Sequence, residues 1–309
     1  MTNLKKLGLS ALAGSLVATT GYAGALDVTG AAKVSYVSKD ETEVTGNPFS
    51  MTRDIGIAGS GEMDNGMTIS YNQTLSAGAF SSSSLTLDMG DAGTLTFANG
   101  TAAGHGISAY EDKMPTANEQ VWDDLDGEAN GLVAISTSNT IGYGTTVAGA
   151  NVSVNYNPDA GVSTAESSHS LGIDYSFGDA MVFYAIGDEA GATVNTGTDH
   201  WTAGGTYTAG GATFGIQLSS LDKAAANSDQ DRTHVAASFA VNEDLSVSWG
   251  MSTVEFEAAS KVDQEDSGFS VSYTMGSMTI AAAANSSDNV GGTNGTDDTH
   301  KEMSIAFAF

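Results

Sequence analysis

Cysteine is absent from the 309 residues, which excludes a disulfide framework and any thiol chemistry. Basic side chains are scarce, 10 against 37 acidic ones. A chain this acidic excludes nucleic acid and anionic membrane surfaces as partners of its exterior. Proline occurs only three times. Missing too is any apolar run long enough to cross a bilayer as a helix. No G-x-S-x-G elbow occurs, and glycine runs such as GTAAGHG precede no helical pattern, so neither a nucleophile elbow nor a phosphate cradle has support. The chemistry of a catalyst is therefore not written in this chain, and it reads as a non-enzyme.

The abundant residues are glycine, 38 of them, with serine, threonine and asparagine, a composition of strands and turns. The first 25 residues pair a basic start at Lys5 and Lys6 with an apolar stretch from Leu7 to about Ala18 and small residues beyond. They predict a secretory signal peptide over 1–25, cleaved after Ala25 in the A-x-A sense (Ala23, Gly24, Ala25) or after Ala23. Removing Lys5 and Lys6 leaves 8 basic against 37 acidic groups, a net charge of about −29. Charge of that size predicts solvated acidic loops and a hydrated interior.

From Leu26 onward the hydrophobic period is two. Leu26, Val28, Val34 and Tyr36 alternate with Asp27, Thr29, Lys33 and Ser35. The pattern recurs in sixteen segments, ending with Met303, Ile305, Phe307 and Phe309 on one face of the last. Connections sort into two lengths. Short turns fall at 61–66, 89–93, 146–151, 177–180, 208–211, 241–244 and 275–277; longer polar ones fall between them at 38–50, 76–82, 100–136, 158–168, 188–199, 220–231, 255–267 and 286–299. Such alternation is what an antiparallel transmembrane barrel requires, with short turns on the periplasmic side and long loops outside. Only closure satisfies every backbone N–H and C=O in lipid, and pairing of the last strand with the first removes the edge that Phe309 would otherwise leave open. The fold expected is all-β, a 16-stranded antiparallel barrel over residues 26–309. Aromatics at strand ends, Tyr71, Tyr143, Tyr156, Phe177, Tyr207, Phe239 and Tyr273 among them, would form interfacial girdles against outer-membrane lipid. A soluble sandwich would not need so many similar hairpins, and no fixed-period repeat supports a solenoid.

The one long break in alternation is residues 100–131, GTAAGHGISAYEDKMPTANEQVWDDLDGEANG. A loop of this length inside a compact fold is usually functional, and a sixteen-stranded lumen is too wide for wall side chains to fill. Folding inward, it would act as a constriction.

Four segments carry a resemblance: the opening LDVTGAAKVSY, then RDIGIAGSGEMDNG, the hairpin SNTIGYGTTVAGANVSVNY and the terminal IAFAF. In these the chain resembles the general bacterial porins of the alphaproteobacterial type, from about Leu26 to Phe309. The resemblance implies a Gram-negative outer-membrane channel, a homotrimer, a third external loop folded into the pore (here 100–131) and a terminal phenylalanine, Phe309, read by the outer-membrane assembly machinery. The PEFGG-like motif frequent in that loop is absent, with Met114–Pro115 standing nearby. The resemblance further implies basic wall residues facing the acidic loop from early strands. By parity Lys33, Thr52, Asp54 and Ser84 point inward, whereas Arg53 shares the outward parity of Ile55 and Ile57.

The pore-constriction residues expected are therefore Glu111, Asp112, Asp123, Asp124, Asp126 and Glu128 from the loop, with Lys33 and Asp54 on the wall. With little cationic compensation, they predict a cation preference. Asp124, Asp126 and Gly127 fail the twelve-residue calcium pattern, because Trp122 and Val133 occupy its first and last ligand positions. Loosely bound calcium among the acidic loops is the one cofactor expectation. The five histidines, His105, His169, His200, His234 and His300, read as lying in or beside loops without metal-ligand spacing. Lys113, inside the acidic loop, reads as a local ion-pair partner. The function expected is passive diffusion of small hydrophilic solutes; an exported adhesive or structural barrel and a substrate-specific channel are the alternatives.

Overall fold

The computed structural model describes residues 26–39, 46–101, 104–111, 113–129, 131–132, 139–158, 166–190 and 196–309; the expected signal peptide lies outside them. In chain order the strands are β1 (Leu26–Lys39), β2 (Phe49–Glu62), β3 (Thr68–Ser76), β4 (Ala79–Asp88), β5 (Thr94–Asn99), β6 (Thr140–Val147), β7 (Ala150–Asn157) and β8 (Ser168–Phe177). They continue as β9 (Ala180–Glu189), β10 (Thr198–Ala209), β11 (Ala212–Lys223), β12 (Gln230–Ala240), β13 (Leu245–Phe256), β14 (Gln264–Met275), β15 (Met278–Asp288) and β16 (Asp298–Ala308). Each pairs antiparallel with its chain neighbours, and β1 pairs with β16, so the sheet closes into a barrel.

The dyad pattern explains why these segments form strands and which way they face. Val34, Tyr36, Leu171, Ile173, Phe269 and Met303 are exposed, while the residues between them, such as Ser35, Ser170, Ser270 and Ser304, are buried. In a closed barrel the first set forms the outer, lipid-facing surface and the second lines the lumen. Closure runs in register from Ala31 opposite Ala308 to Lys39 opposite His300. Beyond it, Gly30 and Phe309 exchange two backbone bonds, N–O 3.1 Å and 2.8 Å. Along this seam, among the described residues, the edges of β1 and β16 are paired and closed to another chain.

One connection departs from expectation. The long loop read over 76–82 is a tight hairpin in which only Ala77 and Gly78 separate β3 from β4. Both have positive φ, 52° and 86°, as the hairpin turns matched to right-handed strand twist require. The register shifts between Thr74 and Leu75, and this irregularity breaks the alternation across the serine run that opens β4.

The histidines are placed more closely than the sequence allows. His200 and His300 stand beside loops, as third residues of β10 and β16, and His234 lies farther along β12; all three are buried and face the lumen. His169 lies on β8, exposed on its outer face and 4.0 Å from Asp188.

Candidate functional site

The described residues of the connection between β5 and β6 lie against lumen-facing side chains from β7 round to β16, inside the barrel. Its first part is a 3-10 turn, Gly106–Tyr110. The backbone N–H groups of Gly106 and Ile107 donate to the hydroxyls of Ser153 (2.9 Å) and Ser170 (3.1 Å). Tyr110 donates to Asp174 at 3.1 Å and stacks on Phe183 with ring centroids 5.2 Å apart. Burial, reinforced by Asp174, pushes the Tyr110 phenol up.

Farther along, Ala117 donates to Ser248 (2.8 Å) and Asn118 to Ser270 (3.1 Å) through their backbone N–H groups. Asn285 donates through one amide to the carbonyls of Gln120 (3.0 Å) and Asp123 (3.2 Å). The Asp126 N–H reaches the Asp298 carboxylate at 2.6 Å, and that of Glu128 reaches Gln264 at 3.1 Å. A buried irregular segment must satisfy its backbone polar groups individually, and here short polar side chains on the wall do so.

Close approach also needs room on the wall. Several inward positions are glycine where any Cβ would collide with the loop. A Cβ on Gly215 would lie 2.5 Å from Pro115 Cδ, and one on Gly250 2.9 Å from Val121 Cγ1. Gly172 leaves space for the Tyr110 ring and Gly142 for His105. These glycines form a track along the wall.

Arg232 is a wall cation that a reading confined to the early strands does not reach. It sits on β12, and only 3 % of it is exposed. Its guanidinium donates to the Glu128 carbonyl, to Ser252 at 3.1 Å and to Asp266 at 3.4 Å, and lies over the Trp122 ring. Trp122 in turn packs edge-on against His234. Arg232 is a buried anchor of the loop, because its charge is spent on Asp266 and a carbonyl rather than presented to the lumen.

The polar centre of the site lies where the loop faces β1 and β16. Lys33 and Glu302 form an ion pair at 2.6 Å across those strands. Glu119 feels Glu302, Lys33, Asp124 and Asp123 together. Burial first, then repulsion from Glu302, pushes its carboxyl up to about 7, with Lys33 opposing. Asp124 approaches His300, Oδ2 to Nε2 3.7 Å. Glu119, Asp124 and His300 could together hold a metal ion, with donor atoms within 4.8 Å of one another.

Of the residues expected at the constriction, Lys33, Asp123 and Asp124 share this centre. Asp54 stands on β2 opposite Ala31, one carboxylate oxygen enclosed and without a hydrogen bond among the described residues. Glu111 follows the 3-10 turn at the β7–β9 end of the loop. Asp126 and Glu128 engage the wall through their backbones, and Asp112 lies outside the described residues. Lys113, expected as an ion-pair partner, lies over the Tyr110 ring. Glu302, His300 and Arg232 escape a reading by loop position and early-strand parity, and Glu119, though inside the loop, was not among the residues expected at the constriction. The signal for three of them was the inward parity of β12 and β16.

Sixteen antiparallel strands closed around a lumen, with a long connection bound along the inner wall, define a porin-type channel barrel of the outer membrane. The chain belongs to the Gram-negative porin family, whose model matches residues 8–308. Similar solved structures include an anion-selective porin from Comamonas acidovorans, with TM-score 0.70 and 16 % identity, covering 93 % of this chain and 100 % of that one. OmpT, an outer membrane protein of Vibrio cholerae, gives TM-score 0.71 and 15 % identity over 94 % and 99 % of the two chains. A variant of Rh. blastica porin gives 0.64 and 15 % over 92 % and 100 %. At these identities the likeness is one of fold. A search of curated protein sequences finds no significant match.

Proposed function

We propose that this porin is a passive diffusion channel for small hydrophilic solutes, with a preference for cations set by the loop from 104 to 132. The observation that carries this reading is the grouping of Glu119, Asp123 and Asp124 with Glu302 around a single wall cation, Lys33. Carboxylates in excess at a narrow, low-dielectric passage lower the energy of a cation there and raise that of an anion. Arg232 does not offset them, because its guanidinium is buried against Asp266 under the loop. The anion selectivity of the Comamonas porin belongs to a chain of 16 % identity and does not carry over.

The reading includes no catalysed step. It includes a homotrimer packed through the apolar outer wall and recognition of Phe309 by the outer-membrane assembly machinery. Phe309 is 77 % exposed, with its backbone already engaged by Gly30, so its ring is available to a partner. The test is the reversal potential of the reconstituted protein in a KCl gradient. The sign for potassium preference is expected, and the sign for chloride preference would end the proposal of cation selectivity.

A further inference from the structure

We infer that Glu119, Asp124 and His300 form a binding site for a divalent transition cation of the zinc class, held between the loop and β16. The three residues come from two elements distant in sequence, and each offers one donor atom within 4.8 Å of the other two. His300 is 1 % exposed on the lumen face of β16, with Nε2 3.7 Å from Asp124 Oδ2. Glu119 accepts a hydrogen bond from Asn118 on Oε1, while its Oε2 is enclosed and takes none among the described residues. Glu302 and Asp123 add negative charge around the group, and Lys33 is the cation facing it.

The donor chemistry selects the ion. One imidazole with two carboxylates suits zinc and its neighbours, whose bonds to N and O run about 2.0–2.2 Å. Donors around such an ion stand closer together than 4.8 Å, so any pair near that limit must draw in on binding. Asp124 can supply that movement, since its side chain is 56 % exposed while that of His300 is held at 2 %. Calcium fits poorly, because it asks for six to eight oxygens and gains little from an imidazole. The carboxylates here repel one another, and a dication would replace that repulsion with attraction. The site lies at the centre of the proposed constriction, so occupancy would also obstruct the path. Binding itself does not depend on the channel reading; obstruction does.

The test uses the full-length barrel in detergent, stripped with a chelator, its folded state checked by heat-modifiable migration on a denaturing gel. Equilibrium dialysis with zinc should give one tight equivalent per chain, and cobalt should show visible absorption bands of a low-coordinate nitrogen and oxygen site. Asp124→Asn is the first variant: asparagine tolerates the left-handed backbone of that position (φ 60°), so folding is preserved while a ligand charge is removed. It should weaken zinc binding by at least about tenfold, the least that a disturbed ligand shell costs, as should His300→Gln. Asp126→Asn, outside the trio, should leave binding unchanged. No tight equivalent, equal competition by calcium, or equal loss in all three variants would overturn the site. In bilayers, zinc should reduce the conductance of the parent and not of Asp124→Asn. A barrel that binds zinc but never conducts would instead refute the channel reading and leave the site standing.

Discussion

Phe309 and Gly30 exchange a pair of backbone hydrogen bonds, and this pair continues the seam at which the last strand meets the first. The final residue is thus part of the closure, while its ring points outward from the barrel. Two bonds at about 0.5–1.5 kcal/mol each make its removal a matter of about 1–3 kcal/mol. Deleting Phe309 should therefore lower the temperature at which the barrel unfolds on a heat-modifiability gel, whereas Phe309→Ala, which keeps the backbone, should leave that temperature much closer to the parent.

Arg232 and Asp266 form a buried pair at 3.4 Å. Taking away one partner leaves a charge in a place that water does not reach, which costs about 3–5 kcal/mol. Arg232→Met should destabilise the barrel in urea by that order and loosen the loop around Glu128. Arg232→Met combined with Asp266→Leu should recover most of the loss, and a double-mutant cycle measures the recovery.

Gly172 leaves space for Tyr110, and Gly215 for Pro115. Gly172→Val or Gly215→Leu should lift the loop from the wall without removing any hydrogen-bonding side chain. Cleavage by a protease between 104 and 118 should rise severalfold, while the barrel itself keeps its strand signal in circular dichroism.

Lys33 is the cation that faces the acidic centre. A unit charge at about 4 Å in water is worth about 1 kcal/mol, a several-fold factor in a permeability ratio. Lys33→Gln should shift the reversal potential toward stronger cation preference, and Glu302→Gln should shift it the other way.

Burial of His105 between the loop and the wall lowers its imidazole below the ordinary value of about 6.5. Above that pH the side chain is neutral whether the loop is seated or not, and nothing is lost. As pH falls below about 6.5 the released imidazole binds a proton that the seated one resists, so seating loses stability. Hydrogen exchange over 104–110 should quicken between pH 7.5 and 5.5 through this group, and His105→Asn should flatten that part of the change.

The strands were legible because lipid and water impose opposite demands on alternate side chains, and Leu171, Ile173 and Tyr175 against Ser170, Gly172 and Asp174 show it plainly. Gly78 was misread because a bulge next to it disturbs the same alternation. The loop could be located but its seat could not, since Ala117 meets Ser248 and Asp126 meets Asp298 across most of the chain. Arg232 was overlooked because wall cations were sought on the early strands alone, although the dyad parity of β12 turns it inward. A usable clue did exist: glycine recurs at inward positions 142, 172, 215 and 250, where an unobstructed wall would have less need of it.

The central claim is that the described residues between 104 and 132 run inside the barrel and narrow it. Single-channel conductance of the parent compared with a variant in which those residues are replaced by a short glycine-serine bridge tests it most directly. The account predicts a severalfold rise in conductance together with weakened ion selectivity; the same conductance in both proteins would contradict it.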